Sequence, residues 1–254
     1  MADHGLLRGL ANRANRLAVS LVRTRAVRMA NERPIVSFAF DDFPKSAVSN
    51  GAAILEGRGL AGTYYLSSSF AGTQVDGTEY YDLTDVRRLI DNGHEIGCHT
   101  ASHLRAPATS AAQLLDDLES NAQFVRERFG DLRMTTFAFP FGAINVAAKL
   151  LLQSRFVACR ATLPGVNRGS VDLGALKAER LYSNSVSAER IRTLIDRAAG
   201  PRSWLILYTH DVSDSPGPFG CTPALLETAL KCALKAGFEV LPVRNALAPI
   251  GLWS

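Results

Sequence analysis

Two adjacent aspartates, Asp41 and Asp42, close the apolar run Val36-Ser37-Phe38-Ala39-Phe40, and His99-Thr100-Ala101-Ser102-His103 follows further along the chain. One carboxylate and two imidazoles suffice to hold a divalent cation with open positions, which leaves the other aspartate free to carry a proton. Each piece alone is ordinary. An Asp-Asp pair before Phe43-Pro44 reads equally well as turn or cap chemistry, and an HxxxH spacing has little specificity. Two further polar groups also follow apolar runs, Pro140-Phe141-Gly142 and Thr209-His210-Asp211. His94 precedes a buried run and reads as a structural histidine, not as a fourth ligand.

These groups need a scaffold that brings them together. From residue 34 short apolar runs alternate with capped helices, the pattern of β/α units. Strands are expected over 35–40, 62–66, 95–98, 136–139, 156–161, 204–208 and 238–242. Ser110 with Gln113 forms a capping box for a helix that stops at Gly130, Ser187 and Gly200-Pro201 bracket a second, and Thr222-Pro223 and Gly237 bracket a third. No GxGxxG follows the first strand, so the alternation favours a (β/α) barrel over a doubly wound sheet, with 34–254 as one domain. In such folds chemistry gathers at the carboxyl ends of strands, where all four polar groups fall. Neighbouring strand residues face opposite ways, so Asp41 and Asp42 can share a site only where the chain is leaving its strand. If the turn from His99 to His103 is helical, both rings lie on one face, and Asp42 completes a triad.

The formal charge of +4, from 28 basic and 24 acidic side chains, is mild and dispersed, which argues against nucleic acid as a partner. Four cysteines without a CxxC pair read as reduced, packed thiols, not as a disulfide framework or a zinc knuckle. Residues 1–33 are set apart by seven arginines and by leucines at helical spacing, and are expected to form a basic amphipathic helix. It either packs on the domain's flank or in a dimer, or makes peripheral contact with an anionic membrane. No stretch in it is long enough for an export signal or a membrane span, so a cytoplasmic location, with the inner membrane face as a variant, is the expectation.

Together the motifs resemble the polysaccharide deacetylases of carbohydrate esterase family 4. The segments that carry the likeness are Ser37-Phe38-Ala39-Phe40-Asp41-Asp42, Ala61-Gly62-Thr63-Tyr64-Tyr65-Leu66, Gly93-His94-Glu95-Ile96-Gly97-Cys98-His99-Thr100-Ala101-Ser102-His103, Phe137-Ala138-Phe139-Pro140-Phe141-Gly142 and Leu205-Ile206-Leu207-Tyr208-Thr209-His210-Asp211, in family order. The resemblance implies a distorted (β/α) barrel that removes N-acetyl groups from an N-acetylglucosamine-containing glycan. A divalent metal, zinc foremost and cobalt or another ion next, would activate the attacking water. Asp42, His99 and His103 would bind the metal, Asp41 would be the base and His210 the acid. The backbone N–H of Phe141, after Pro140, would face the oxyanion, with Gly142 allowing close approach.

Departures from the family's pattern matter as much. Many members carry an arginine that holds the base aspartate where this chain has Ala138; Arg180 is the expected substitute. Tyr208 stands where leucine is common and is expected to line the acetyl pocket or meet the sugar. Phe43 replaces a usual glycine, and Asp172 and Asp211 both compete as the acidic partner of His210. The segment 211–220, rich in proline and glycine, is expected to overhang the site. Candidate substrates are chitooligosaccharides, a peptidoglycan precursor, or a lipid-linked or surface glycan. A catalytically inactive glycan-binding protein and a deacylase of a non-sugar amide are the alternatives. A non-heme iron oxygenase ranks last, because Asp42 and His99 lack the close HxD spacing of that class.

Overall fold

In a computed structural model, which describes residue 15 and residues 17–252, the strands in chain order are β1 (Ala26–Arg28), β2 (Ile35–Asp41), β3 (Thr63–Leu66), β4 (Gln74–Val75), β5 (Thr78–Glu79), β6 (Glu95–Cys98), β7 (Thr136–Ala138), β8 (Ala158–Arg160), β9 (Asn167–Arg168), β10 (Ser170–Asp172), β11 (Glu179–Arg180), β12 (Ser203–Thr209) and β13 (Glu239–Val240). The central path runs β11-β12-β2-β3-β6-β7-β8, parallel at every step. A further parallel bridge, Arg160 to Leu176, joins the end of β8 to the segment leading into β11. The sheet therefore curls back toward its own first strand, and the expected distorted (β/α) barrel is what forms.

Alternation along the strands decides what faces inward. On β2, Val36, Phe38 and Phe40 pack in the outer layer, with Val86 and Leu89 of helix Leu83–Asp91, Ile191 and Ile195 of Ala188–Ala198 and Leu226 and Leu230 of Pro223–Lys235. Ile35 and Ala39 pack in the inner layer, with Tyr65, Ala138, Trp204, Ile206 and Tyr208. Full burial of a side chain of this size contributes about 1.5–3 kcal/mol, so the two apolar layers fix the register of the central strands. The same parity turns Asp41 inward from β2, Arg160 from β8 and His210 from the end of β12. The helix boundaries follow their caps. Ser110 and Gln113 make the reciprocal capping box of Ala111–Phe129, while Ser187 and Thr222 accept from the backbone N–H groups of Arg190 and Leu225.

The amino-terminal expectation changes. Residues 17–21 are helical, but Ala26–Arg28 is a strand antiparallel to β10; the rest of the expected helix before residue 17 lies outside the described residues, apart from helical Asn15. Lys149 ends the helix. Its buried ammonium donates to the carbonyls of Val19 at 2.7 Å and Val22 at 2.6 Å and to Asp172 Oδ2 at 2.6 Å, satisfying carbonyls that a helix terminus leaves open. The Asp172 carboxylate also accepts from the backbone N–H of Arg25 at 3.2 Å, which leads the chain into the β1–β10 pair. Among the described residues, no helix is long and apolar enough to cross a membrane.

Candidate metal centre and active site

The parallel strands bring Asp41, Asp42, His99, Arg160 and His210 to one rim. Asp42 escapes strand alternation by taking φ 55°, so that both aspartates turn toward the same space. The ligand atoms of Asp42, His99 and His103 all lie within 4.8 Å of one another. Asp42 Oδ1 is 3.7 Å from His99 Nε2, and Asp42 Oδ2 is 3.5 Å from His103 Nε2. His99 Nδ1 is 2.7 Å from the Ala138 carbonyl, which can only accept, so the proton sits on Nδ1 and the Nε2 lone pair faces Asp42. The turn that presents the rings is not the expected helix. Thr100 and His103 have φ of 65° and 52°, and the Asp117 carboxylate clasps the turn by accepting from the N–H of Ala101 at 2.6 Å and of Ser102 at 3.2 Å.

The donor set fits a divalent cation. Asp42 Oδ1 and His103 Nε2 are buried and have no hydrogen-bond partner, a state that costs free energy unless something binds there. Burial pulls His99 down to about 3 and His103 down to about 4, so both imidazoles are neutral at physiological pH, as ligands must be. Burial, and then the Asp41 charge beside it, push Asp42 well above the usual carboxylate range. A cation in the triad would relieve that repulsion.

Asp41 is placed differently. Burial would raise its pKa, but the Arg160 guanidinium outweighs this with help from His99 and His210, and the carboxyl is held below its ordinary value. One Arg160 nitrogen donates to both Asp41 oxygens at 2.6 Å. The guanidinium lies 5.1 Å from the Tyr65 ring and 4.9 Å from that of Tyr208. Sequence reasoning missed Arg160 and looked to Arg180, which sits exposed at the end of β11. The signal was present: a cation inside the buried run 156–161. Arg160 is, moreover, the cross-strand partner of Ala138, the position whose missing arginine raised the question.

On the other side of the triad, His210 Nε2 is 3.8 Å from Asp42 Oδ2. Its Nδ1 lies 3.2 Å from the Phe219 carbonyl, which also accepts from the His210 backbone N–H at 3.1 Å. Neither expected acid takes that place: Asp172 is tied to Lys149, and Asp211 accepts from the Gly217 N–H at 3.0 Å to hold its own loop. Burial lowers the pKa of His210. Pro140 is buried and opens a single tight turn, in which Phe141 takes φ 58° and leaves its ring 59% exposed, 4.3 Å from the ring of His103. Gly142 is required there, because a Cβ at φ 60° would lie 1.8 Å from Thr162 Oγ1. Phe43, in the place of a glycine, is buried and stacks on Tyr81 with centroids 4.1 Å apart. Tyr208 packs edge-on to Tyr182 at 5.5 Å, and both line the cavity of about 480 Å³ that holds Asp41, Asp42, the three histidines, Phe141 and Phe219.

Comparison with known proteins agrees with this geometry. Residues 28–155, half of the chain, match the family described as Polysaccharide deacetylase. Solved structures similar to this one include the chitin deacetylase of the fungal pathogen Colletotrichum lindemuthianum, 15% identical with a TM-score of 0.66 over 91% of this chain and 95% of that one. A peptidoglycan deacetylase of Bacillus subtilis is 15% identical with a TM-score of 0.58, covering 85% and 91%. A CE4 family pseudoenzyme of Bacillus anthracis is 13% identical with a TM-score of 0.63, covering 90% and 70%. A curated gellan lyase from Bacillus sp. is 28% identical over 158 residues, 54% of this chain, which spans only 6% of that protein's length. The expected cytoplasmic location is overturned by this company, since such peptidoglycan and chitin deacetylases are extracellular or associated with the cell wall.

Proposed function

The chain belongs to the polysaccharide deacetylase family, and from that premise we propose that it hydrolyses the N-acetyl group of an N-acetylglucosamine-containing glycan in a metal-dependent reaction. The observation that carries the reading is the pair of buried, partnerless ligand atoms, Asp42 Oδ1 and His103 Nε2, beside an ionised Asp41 that the triad does not use. A divalent ion held by Asp42, His99 and His103, zinc by preference for this donor set, would polarise the amide oxygen and acidify a water. Asp41 is the proton acceptor, kept charged and aimed by Arg160. His210 is the proton donor to the departing nitrogen, its ring fixed by the Phe219 carbonyl so that Nε2 faces the site. Such transfers each contribute about 10²–10⁴ in rate. The Phe141 N–H, left-handed at the turn after Pro140, serves the oxyanion, and Tyr208 with Tyr182 bounds the acyl pocket.

The test is acetate release. Purified protein, its metal content measured, is assayed on chitin oligomers and on peptidoglycan fragments, with and without chelator. Acetate from at least one glycan, lost on chelation and regained with zinc or cobalt, is expected. A metal-loaded protein that binds these glycans and releases nothing would instead make it an inactive binding protein.

A further inference from the structure

Past Phe141 the active-site cavity adjoins a second one of about 280 Å³, and the two share Phe141, Gly142 and Thr162 in their walls. The exposed Phe141 ring is therefore a partition standing in a longer cleft. The histidine ligand His103 is against the ring on the catalytic side, and the Arg105 guanidinium sits 4.9 Å from the ring's centre. Among the described residues, Arg105 is the one charged residue lining the second cavity. Among the described residues it makes no ion pair and no side-chain hydrogen bond, although a guanidinium carries five donors in a planar fork. A stacked guanidinium is pre-organised, and its unused edge suits a carboxylate or a phosphate.

The offset from the reacting centre is fixed as well. Arg105 lies two residues after His103 in a segment pinned at both ends: the Leu104 N–H donates to Thr100 Oγ1 at 3.0 Å, and the Arg105 carbonyl accepts from Thr109 Oγ1 at 3.0 Å and from the Ala108 N–H at 2.9 Å. The backbone that carries the exposed Arg105 side chain is therefore held close to His103.

We propose that the cavity beyond Phe141 is a subsite for an anionic group on the sugar unit next to the one deacetylated, with Arg105 as the residue that reads it. The inference rests on the deacetylase reading and adds a substrate class to it: an acidic glycan, not a uniformly neutral one. Among the described residues the second cavity holds this one cation and no acidic side chain, so it selects by charge.

The experiment compares three oligosaccharides of equal length whose neighbouring unit is neutral, carries a carboxylate, or carries a phosphate. Binding of their already deacetylated forms to the zinc-loaded protein is measured by titration calorimetry, and acetate release is measured from the acetylated forms. The wild-type protein is expected to bind an anionic probe about tenfold more tightly than the neutral one at low salt, with the advantage shrinking as salt rises. Arg105→Gln should bring that ratio to within about twofold, and Arg105→Glu should invert it. Preference for the carboxylate or for the phosphate tells which acidic glycan is meant, and either supports the subsite. Equal binding of all three by wild type, or a preference that survives Arg105→Gln, overturns it while leaving deacetylation of the neutral oligomer intact. Arg105-dependent binding without acetate release would sustain the subsite and sink the deacetylase reading.

Discussion

Replacing Arg160 with alanine would leave the Asp41 carboxylate, its side chain 6% exposed, with no cation in contact. Both short bonds to it come from a single guanidinium nitrogen, and the guanidinium itself is fully buried. Breaking one side of a buried ion pair costs about 3–5 kcal/mol, because the surviving charge is stranded. In a chain of this size that is a fall in Tm of about 6–20 °C. The strands offer a remedy. Ala138 faces Arg160 across the β7–β8 ladder and packs in the same inner cluster as Tyr65 and Tyr208, the two rings that flank the guanidinium. An arginine at 138 would therefore enter the space that Arg160 vacates. Urea denaturation of Arg160→Ala, Ala138→Arg and the double variant should show each single variant destabilised, since the second packs two guanidinium groups into one buried volume. The double variant should regain at least half of the loss, a coupling of about 2 kcal/mol or more. A loss below about 1 kcal/mol in Arg160→Ala, or a double variant no better than the worse single, would refute the reasoning.

His94 is buried neutral, with Nδ1 accepting from the Gly62 N–H at 2.9 Å and Nε2 donating to Glu56 at 3.1 Å. Burial lowers its pKa from 6.5, so the unfolded chain takes up a proton that the fold refuses: stability is full above pH 6.5 and falls below it, toward the lower folded value. His94→Gln should flatten that acid-side decline by up to about 1.4 kcal/mol per pH unit, and parallel curves for the two proteins would show the assignment to be wrong. Chelation should lower Tm, and zinc at about a hundredfold excess over Kd should restore about 2.7 kcal/mol. Asp42→Ala should erase this shift yet leave the metal-free protein at least as stable as wild type, because it removes a carboxyl crowded by burial and by Asp41; a drop in metal-free Tm would contradict this. Gly142→Ala sets a Cβ 1.8 Å from Thr162 Oγ1 in a left-handed turn, and should cost about 2 kcal/mol or more together with most acetate release. Wild-type denaturation midpoint and activity in that variant would dismiss the steric argument.

What the sequence made legible follows from apolar runs and caps. The short apolar runs within 35–41 and 203–209 mark β2 and β12, buried at every position, and side-chain caps at Ser110, Ser187 and Thr222 mark where helices begin. Strands of two or three residues, such as β9, β10 and β11, carry no period to read, and β1 was hidden inside a segment whose leucines suggested a longer helix. The triad and its gathering at one rim were readable, but the turns that close it were not, because they depend on backbone that propensity disfavours. Of the seven non-glycine residues with positive φ among those described, Asp42, Phe43, Thr100, His103 and Phe141 belong to the loops of the triad or to the turn opened by Pro140. Left-handed backbone of this kind costs about 1–3 kcal/mol per residue and persists only where the surroundings dictate it. Here they do: the Asp117 carboxylate locks the histidine turn, Phe43 is stacked on Tyr81, and Thr162 leaves room for nothing larger than Gly142.

The same logic explains why Arg160 escaped notice. A buried arginine whose Nε and other terminal nitrogen lack partners is a poor contributor to stability, so stability rules would not place one at the end of β8. It makes sense once Asp41 is required to stay ionised in a buried site beside a cation-binding triad. The strained loops, the partnerless ligand atoms and the half-satisfied guanidinium are therefore one arrangement: folding free energy is given up at a single rim so that two carboxylates and three imidazoles can face the same space.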